Sequence, residues 1–352
     1  MSEPGWTTLV ASGINSGAEA AKRFGGTLDA LEQAGKTFPV RINSYYLSLI
    51  RSADDPIGRQ VVPSPLEIAD DSVEGDPLAE DADSPVPHLV HRYPDRVLLL
   101  ATYQCAVYCR FCTRRRSVGR TPTPASAEMD RVISYIAAHG EIRDVIVSGG
   151  DPFMLSDSAL GSLLSRIRAI PHVEIIRVDS RIPCVMPARV TPELCAELRK
   201  YHPLYLNTHF NHPSELTPEA VSACARLADA GIPLGNQTVL LRGINDDPAV
   251  MKQLVLGLLA ARVKPYYLYQ CDPVAGTEHF RTTVQKGLEL ISALRGHTSG
   301  MAVPAYVIDA PGGGGKVPAL PPDVLKITDE KVIVRNYEGK IFEYLQARPG
   351  LK

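Results

Sequence analysis

The chain of 352 residues contains no apolar run near the roughly 20 residues that a membrane-crossing helix needs. Its start, MSEPGWTTLVASG, lacks the basic segment and long apolar core of a secretory signal, so the expected compartment is the cytoplasm. Charge of one sign is missing too: 37 Lys and Arg against 39 Asp and Glu leave a net charge of −2. That balance argues against a protein built around nucleic-acid or membrane electrostatics. No repeat with a period of about 20–50 residues runs through the sequence. An even set of cysteines is also lacking. There are seven, and three fall within eight residues, which in a reducing compartment points to a metal or cluster site before disulfides.

What is present is ordinary globular composition, 45% hydrophobic and 22% charged, in a chain long enough for one large α/β barrel or two domains. The first 95 residues are irregular: helical patches such as TLDALEQAG and INSYYLSLIRS alternate with Pro-rich and acidic text. The stretch DSVEGDPLAEDADSPVP reads as a solvated surface loop. From Arg96 the text becomes regular, with six β-rich runs: RVLLLATY (96–103), DVIVSG (144–149), VEIIRVDS (173–180), LYLNTHF (204–210), NQTVLL (236–241) and KPYYLYQ (264–270). A helical segment follows each. Ser156, Thr191 and Thr217 read as N-caps, the last two followed by Pro at the first helical position.

Six βα units make a parallel sheet whose buried strands should be nearly continuous apolar runs. Eight would close a barrel, so six suggest an incomplete one. The division expected is an N-terminal wrapping segment (1–95), a (βα)6 partial barrel (96–300) and a C-terminal extension (301–352), where KVIVRNYEGKIFEYL alternates like a hairpin about Glu338-Gly339.

Active residues of parallel α/β sheets gather at the C-terminal ends of strands. Directly after the first run comes YQCAVYCRFCTRRR, with Cys105, Cys109 and Cys112 spaced C-x3-C-x2-C. Three thiolates on one loop can hold three irons of a cubane and leave the fourth open. The competing reading is a structural zinc site completed by His88 or His91, although no fourth cysteine follows nearby. A second signal is DAPGGGGKVP (309–318), whose glycines allow close backbone approach to a phosphate or planar ring, or make a flexible surface loop. It is not a nucleotide-binding P-loop: Ala310 replaces the first glycine, and Val317 the residue after the lysine.

The cysteine spacing, with Phe111 before the last thiol, resembles the radical S-adenosylmethionine (SAM) superfamily, and together with PGGGGK it closely resembles the lysine 2,3-aminomutase family. The similarity runs from about Tyr45 to Tyr344 and includes HRYPDR, SGGDP, NTHFNHP, PLGNQ, YYLYQCD and RGHTSG. It implies a three-quarter TIM barrel of the radical SAM type. It also implies a [4Fe-4S] cluster on Cys105, Cys109 and Cys112, with SAM on the open iron and Ser148, Gly149, Gly150 and Asp151 at the SAM amino group. Lys316 corresponds to the lysine that forms a Schiff base with pyridoxal 5′-phosphate (PLP), for which it must lose its proton.

By the same resemblance, Arg92, Tyr93 and Arg96 surround PLP and its phosphate, His209 and Gln237 are cofactor-side residues, and Tyr269 lies near the SAM adenine. Phe111 stands where many lysine enzymes have histidine. Arg114 corresponds to the arginine that pairs with the substrate α-carboxylate, while Arg115 and Arg116 read as a solvated basic face. Asp272 and Asp309 correspond to two aspartates that hold the ε-ammonium of lysine; buried, they would be costly without a cationic partner. The implied reaction interconverts L-α-lysine and L-β-lysine, by hydrogen abstraction with a 5′-deoxyadenosyl radical and PLP-assisted amino migration.

Alternatives are the same chemistry on arginine or glutamate, lysine chemistry for translation-factor modification, and a non-enzymatic iron–sulfur or zinc scaffold. The expected partners are the amino acid, a reductant such as flavodoxin or ferredoxin, and further copies of the chain. No nucleic acid or membrane is expected. A zinc site of some relatives is not expected, because Asp246-Asp247 occupy the loop of one ligand and the cysteine-bearing C-terminal extension is missing. Cys195 and Cys224 read as helix-core thiols.

Overall fold

The computed structural model describes residues 5–68 and 75–347, so residues 71–74 of the acidic stretch lie outside it. In chain order the strands are β1 (Leu89–Tyr93), β2 (Arg96–Thr102), β3 (Asp144–Gly149), β4 (Ile175–Asp179), β5 (Leu204–Thr208), β6 (Leu234–Leu240), β7 (Lys264–Gln270), β8 (Ala305–Ala310) and β9 (Gly315–Pro318). They form one sheet in that spatial order. From β2 to β8 every neighbouring pair is parallel, while β1 and β9 add antiparallel edges.

The six expected runs are β2 to β7. The parallel strand β8 is a seventh. Its text, AYVIDA, is short and runs straight into PGGGG, so its strand character comes from pairing with β7 rather than from local pattern. The two edges nearly meet. The Lys316 amide of β9 donates to Tyr93 Oη of β1 at 2.8 Å, so among the described residues the barrel is joined at this seam through a side chain rather than by a ladder.

The helices between strands cover the outer face. Ser156, Thr191 and Thr217 cap the helices Asp157–Arg168, Pro192–Leu198 and Pro218–Asp229, accepting from Ala159, Leu194 and Ala220 N–H groups. Val145, Val147, Ile176, Val178 and Leu206 point outward into a core shared with Val132, Ile136, Leu164, Ile167 and Leu194. Cys195 and Cys224 are buried in their helices, as the pattern implied.

The inward face is different. Asp144, Arg177, Asp179, Asn207 and Gln237 point to the barrel interior. The strands therefore alternate rather than being apolar throughout, because the barrel encloses a polar cavity and not a packed centre.

The N-terminal segment wraps the rim from which the cysteine loop emerges. Its helices include Gly17–Phe24, Leu28–Thr37 and Ser44–Ser48. Ile42 bridges Val107 inside the cysteine loop. At the other end β10 (Val324–Ile327), β11 (Lys331–Arg335) and β12 (Ile341–Leu345) form a separate antiparallel sheet. The expected hairpin is β11–β12, turning through Gly339 at φ 81°, and β10 widens it. Among the described residues no helix is long and apolar enough to cross a membrane.

Candidate active site

Inside the barrel lies a cavity of about 960 Å³. Every site residue singled out from the sequence contributes to its wall, although the positions span Arg92 to Lys316. The convergence follows from topology, since each parallel strand delivers its C-terminal end to the same rim.

At that rim the loop after β2 brings Cys105, Cys109 and Cys112 to the cavity as free thiols. Burial and the neighbouring acids and thiols push Cys105 well up, and burial with Cys109 pushes Cys112 up to about 11. The Arg181 guanidinium donates to Cys109 Sγ at 2.6 Å. The loop is anchored from behind by Glu67, which is 2% exposed. Arg110 meets it at 2.9 and 2.6 Å and Arg115 at 2.7 Å. Arg110 also donates to the Phe38 and Pro39 carbonyls, tying the loop to the N-terminal helices. Arg115 is therefore part of a buried network and not of a solvated face.

Gly149 and Gly150 are required by this loop. A Cβ on Gly149 (φ 124°) would lie 2.2 Å from the Thr102 carbonyl oxygen, and one on Gly150 2.5 Å from that of Gln104. The adjoining Ser148 is a cavity residue at the end of β3, and Asp151 closes the turn. Its carboxylate accepts from Phe153 N (3.0 Å), Ser180 Oγ (2.7 Å) and Arg181 N (2.8 Å); burial nonetheless raises it to about 6. The His209 and Phe111 rings meet edge to face, with centroids 5.7 Å apart. Burial, then the Arg181 charge, lowers it to about 3, so the neutral ring donates from Nε2 to Asn211 Oδ1.

On the opposite wall Lys316 Nζ pairs with Asp309 Oδ2 at 2.9 Å and stands 5.4 Å from the centre of the Tyr269 ring. The other Asp309 oxygen, Oδ1, is buried with no hydrogen-bond partner among the described residues. Asp272 accepts from Thr113 Oγ1 at 3.0 Å; burial, then the Asp309 charge, raises it to about 6. Two carboxylates thus share a pocket with one ammonium, leaving an orphaned acceptor. Below them Arg96 stacks over the Tyr93 ring at 3.8 Å and bonds Asp95, while Arg92 pairs with Asp83 at 2.7 Å. Gln237 lies on the inward face of β6.

The described part of the acidic stretch is a surface loop at Asp81 and Ala82, but its acids are paired and Glu80 turns inward. Glu80 grips Arg114, Asp76 and Asp81 both meet Arg116 at 2.8 Å, and Asp83 holds Arg92. These acids lie along the arginine run because the segment before β1 folds back over the cysteine loop. Arg116 is correspondingly ion-paired rather than free.

Sequence reasoning missed Glu80, Thr113, Arg177, Asp179 and Arg181, all on the cavity wall. Asp179 is pushed up by burial and steadied by Asn207 Nδ2 at 2.9 Å; Arg177 pairs with Asp144 at 2.8 Å. For Arg177 and Asp179 the signal was a polar residue at an inward position of the otherwise apolar β4; Glu80, Thr113 and Arg181 lie outside the strands and had none.

The donor chemistry suits the groups implied by the motifs. Three thiols on one loop can each take a different iron of a cluster. Among the described residues, no three His, Cys, Asp or Glu side chains converge on a single-ion site. The opposite wall offers an amine, aromatic Tyr93 and Tyr269, and two arginines, a set suited to an aldehyde-bearing ring with a phosphate.

Residues 99–254 match the family model of the radical SAM superfamily, and residues 291–349 that of lysine-2,3-aminomutase. An L-lysine 2,3-aminomutase of Fusobacterium nucleatum is 56% identical over 88% of this chain and 74% of its own. One from Clostridium subterminale is 54% identical over 90% of this chain and 77% of its own. A glutamate 2,3-aminomutase of Clostridioides difficile is 46% identical over 89% of this chain and 75% of its own. With the thiol loop, the seven-stranded parallel barrel and the amine on its closing strand in one cavity, the chain belongs to the lysine 2,3-aminomutase family within the radical SAM superfamily.

Proposed function

We propose that this protein is an L-lysine 2,3-aminomutase that interconverts L-α-lysine and L-β-lysine. The carrying observation is the acid pair: Asp272 and Asp309 share one pocket, an ammonium already sits 2.9 Å from Asp309, and the second Asp309 oxygen has no partner among the described residues. Such a pocket is complementary to the side-chain cation of lysine and repels the side-chain carboxylate of glutamate. The L-lysine enzymes at 54–56% identity support the same assignment, against 46% for the glutamate enzyme.

In this reading Cys105, Cys109 and Cys112 hold a [4Fe-4S] cluster, and Ser148 to Asp151 with Phe111 flank SAM. Lys316, Arg92, Tyr93, Arg96, His209, Gln237 and Tyr269 serve PLP or the neighbouring cofactor surface. When bound, the cluster with SAM would supply a carbon radical, and PLP a π-system able to spread an unpaired electron while the nitrogen moves from Cα to Cβ. The protein does the rest. Arg114 takes the substrate α-carboxylate through a planar fork of N–H donors. Asp272 and Asp309 take the ε-ammonium and so fix which carbon faces the radical source. The Lys316 amine must leave Asp309 before its nitrogen can act as a nucleophile, and that departure frees the carboxylate for the incoming ammonium.

The test is an anaerobic incubation of cluster-loaded protein with SAM, PLP and a low-potential reductant, separately with L-lysine, L-arginine and L-glutamate. β-Lysine formed from lysine, with no turnover of glutamate, is expected. Turnover of glutamate and not lysine would overturn the reading.

A further inference from the structure

Glu80 is 7% exposed and lies on the cavity wall, in a segment that does not lend itself to swinging. Asp76 and Asp81, on either side, both meet Arg116 at 2.8 Å; the Asp81 amide donates to Asp76 at 3.0 Å, and Ser84 Oγ to the Glu80 carbonyl at 2.6 Å. From this fixed base both Glu80 oxygens meet Arg114. Nε donates to them at 3.1 and 3.0 Å, and Nη2 to Oε1 at 2.6 Å. These contacts occupy the side edge of the guanidinium, and none uses Nη1. A guanidinium has five N–H donors in a rigid plane, so one carboxylate on the Nε–Nη2 edge leaves the Nη1–Nη2 edge for a second.

We propose that Glu80 is a positioning residue: it locks the plane of Arg114 so that the free edge is presented to the α-carboxylate of the amino-acid substrate. The inference rests on the reading of Arg114 as the carboxylate site and adds to it the residue that orients the fork. An unheld arginine would surrender side-chain freedom on each binding event; a held one is preorganised. Glu80 does not compete with the substrate, because the two carboxylates use different edges.

The experiment is calorimetric titration of protein loaded with cluster and PLP, without reductant so that no turnover occurs. Two probes are used: L-lysine, and 1,5-diaminopentane, which has both amines and no carboxylate. Glu80→Ala is expected to weaken L-lysine about tenfold, the loss of about 1.4 kcal/mol that a tenfold change represents. Binding of 1,5-diaminopentane should stay within about twofold. Arg114→Ala should weaken lysine at least as much, and adding Glu80→Ala to it should cost nothing further. Should Glu80→Ala fail to fold, Glu80→Gln, which keeps the shape and loses the charge, carries the same comparison with a smaller loss. Equal weakening of both probes marks a merely structural role and overturns the proposal. So does tighter lysine binding in Glu80→Gln, the mark of competition. If Arg114→Ala weakens lysine while both Glu80 variants leave it unchanged, the inference alone fails. If Arg114→Ala itself leaves lysine unchanged, the carboxylate site fails and takes the inference with it.

Discussion

Asp272 holds a carboxylate where its charge is unwelcome until a cation arrives. Burial, then the Asp309 charge, raises it to about 6, against an ordinary value of 3.8. A raised acid favours the fold when protonated, so its contribution is fully present below about 3.8 and lost as pH rises through about 6. Ligand-free Asp272→Asn should therefore be more stable than the parent at pH 7 to 8, by about 1–3 kcal/mol on a shift of this size, read as a higher Tm. The advantage should disappear by about pH 4. The same variant should raise KM for L-lysine at least tenfold, because half of the ammonium site loses its charge. A Tm gain with an unchanged KM would separate Asp272 from substrate binding.

The three thiols stood out because their type and spacing are rare, while Lys316 and Arg114 were singled out by the family resemblance of PGGGGK and CTRRR. Glu80 and Arg181 were not. Each acquires meaning from a partner distant in sequence, 34 residues to Arg114 and 72 to Cys109, and nothing local marks an acid in an acidic stretch as the one that turns inward.

Among the elements, the cysteine loop depends on the N-terminal helices as much as on the barrel. Glu67 sits between Arg110 and Arg115, and Arg110 and Glu67 are fully buried at their side chains. Glu67→Ala strands two buried guanidiniums, a loss of about 3–5 kcal/mol by the usual cost of breaking such a pair. The expected result is a lower Tm together with less iron bound after reconstitution. Full iron binding at a lowered Tm would show that the loop holds its shape without this anchor.

The helices between the strands were readable down to their caps, because Ser156, Thr191 and Thr217 act through near neighbours. Strand β8 was not, since its pairing is set by β7 across an intervening helix, and β10 was not because it is only four residues long, although it pairs with the adjacent β11. The alternation of β4 and β6 was misjudged for a related reason: six parallel strands imply burial on both faces, and only the hollow interior allows Arg177, Asp179 and Gln237 to point inward.

At the scale of the whole molecule, the edges β1 and β9 are joined, among the described residues, by a hydrogen bond between Tyr93 Oη and the Lys316 amide. Gly315, at φ 77°, makes the approach possible, since a Cβ there would lie 2.9 Å from Tyr93 Oη. Tyr93→Phe removes the acceptor and should cost about 1 kcal/mol of stability. Hydrogen exchange at residues 311–318 should quicken while that of β3 to β6 stays slow. Uniform acceleration across the barrel would mean that the seam is a global keystone; no acceleration would mean that β8 alone holds the strand.

Cys112, Thr113 and Arg114 are consecutive in the chain and face three different directions: a thiol toward the rim, a hydroxyl that tethers Asp272, and a guanidinium gripped by Glu80. Under the proposed function, three neighbouring peptide units would thus serve the metal, the far end and the near end of one guest. Under that reading, room for this barrel to acquire a taste for a different amino acid lies on the facing wall, foremost at Asp309, which pairs with Lys316 rather than with the stretch that everything else leans on, whereas Asp272 is tied to it through Thr113.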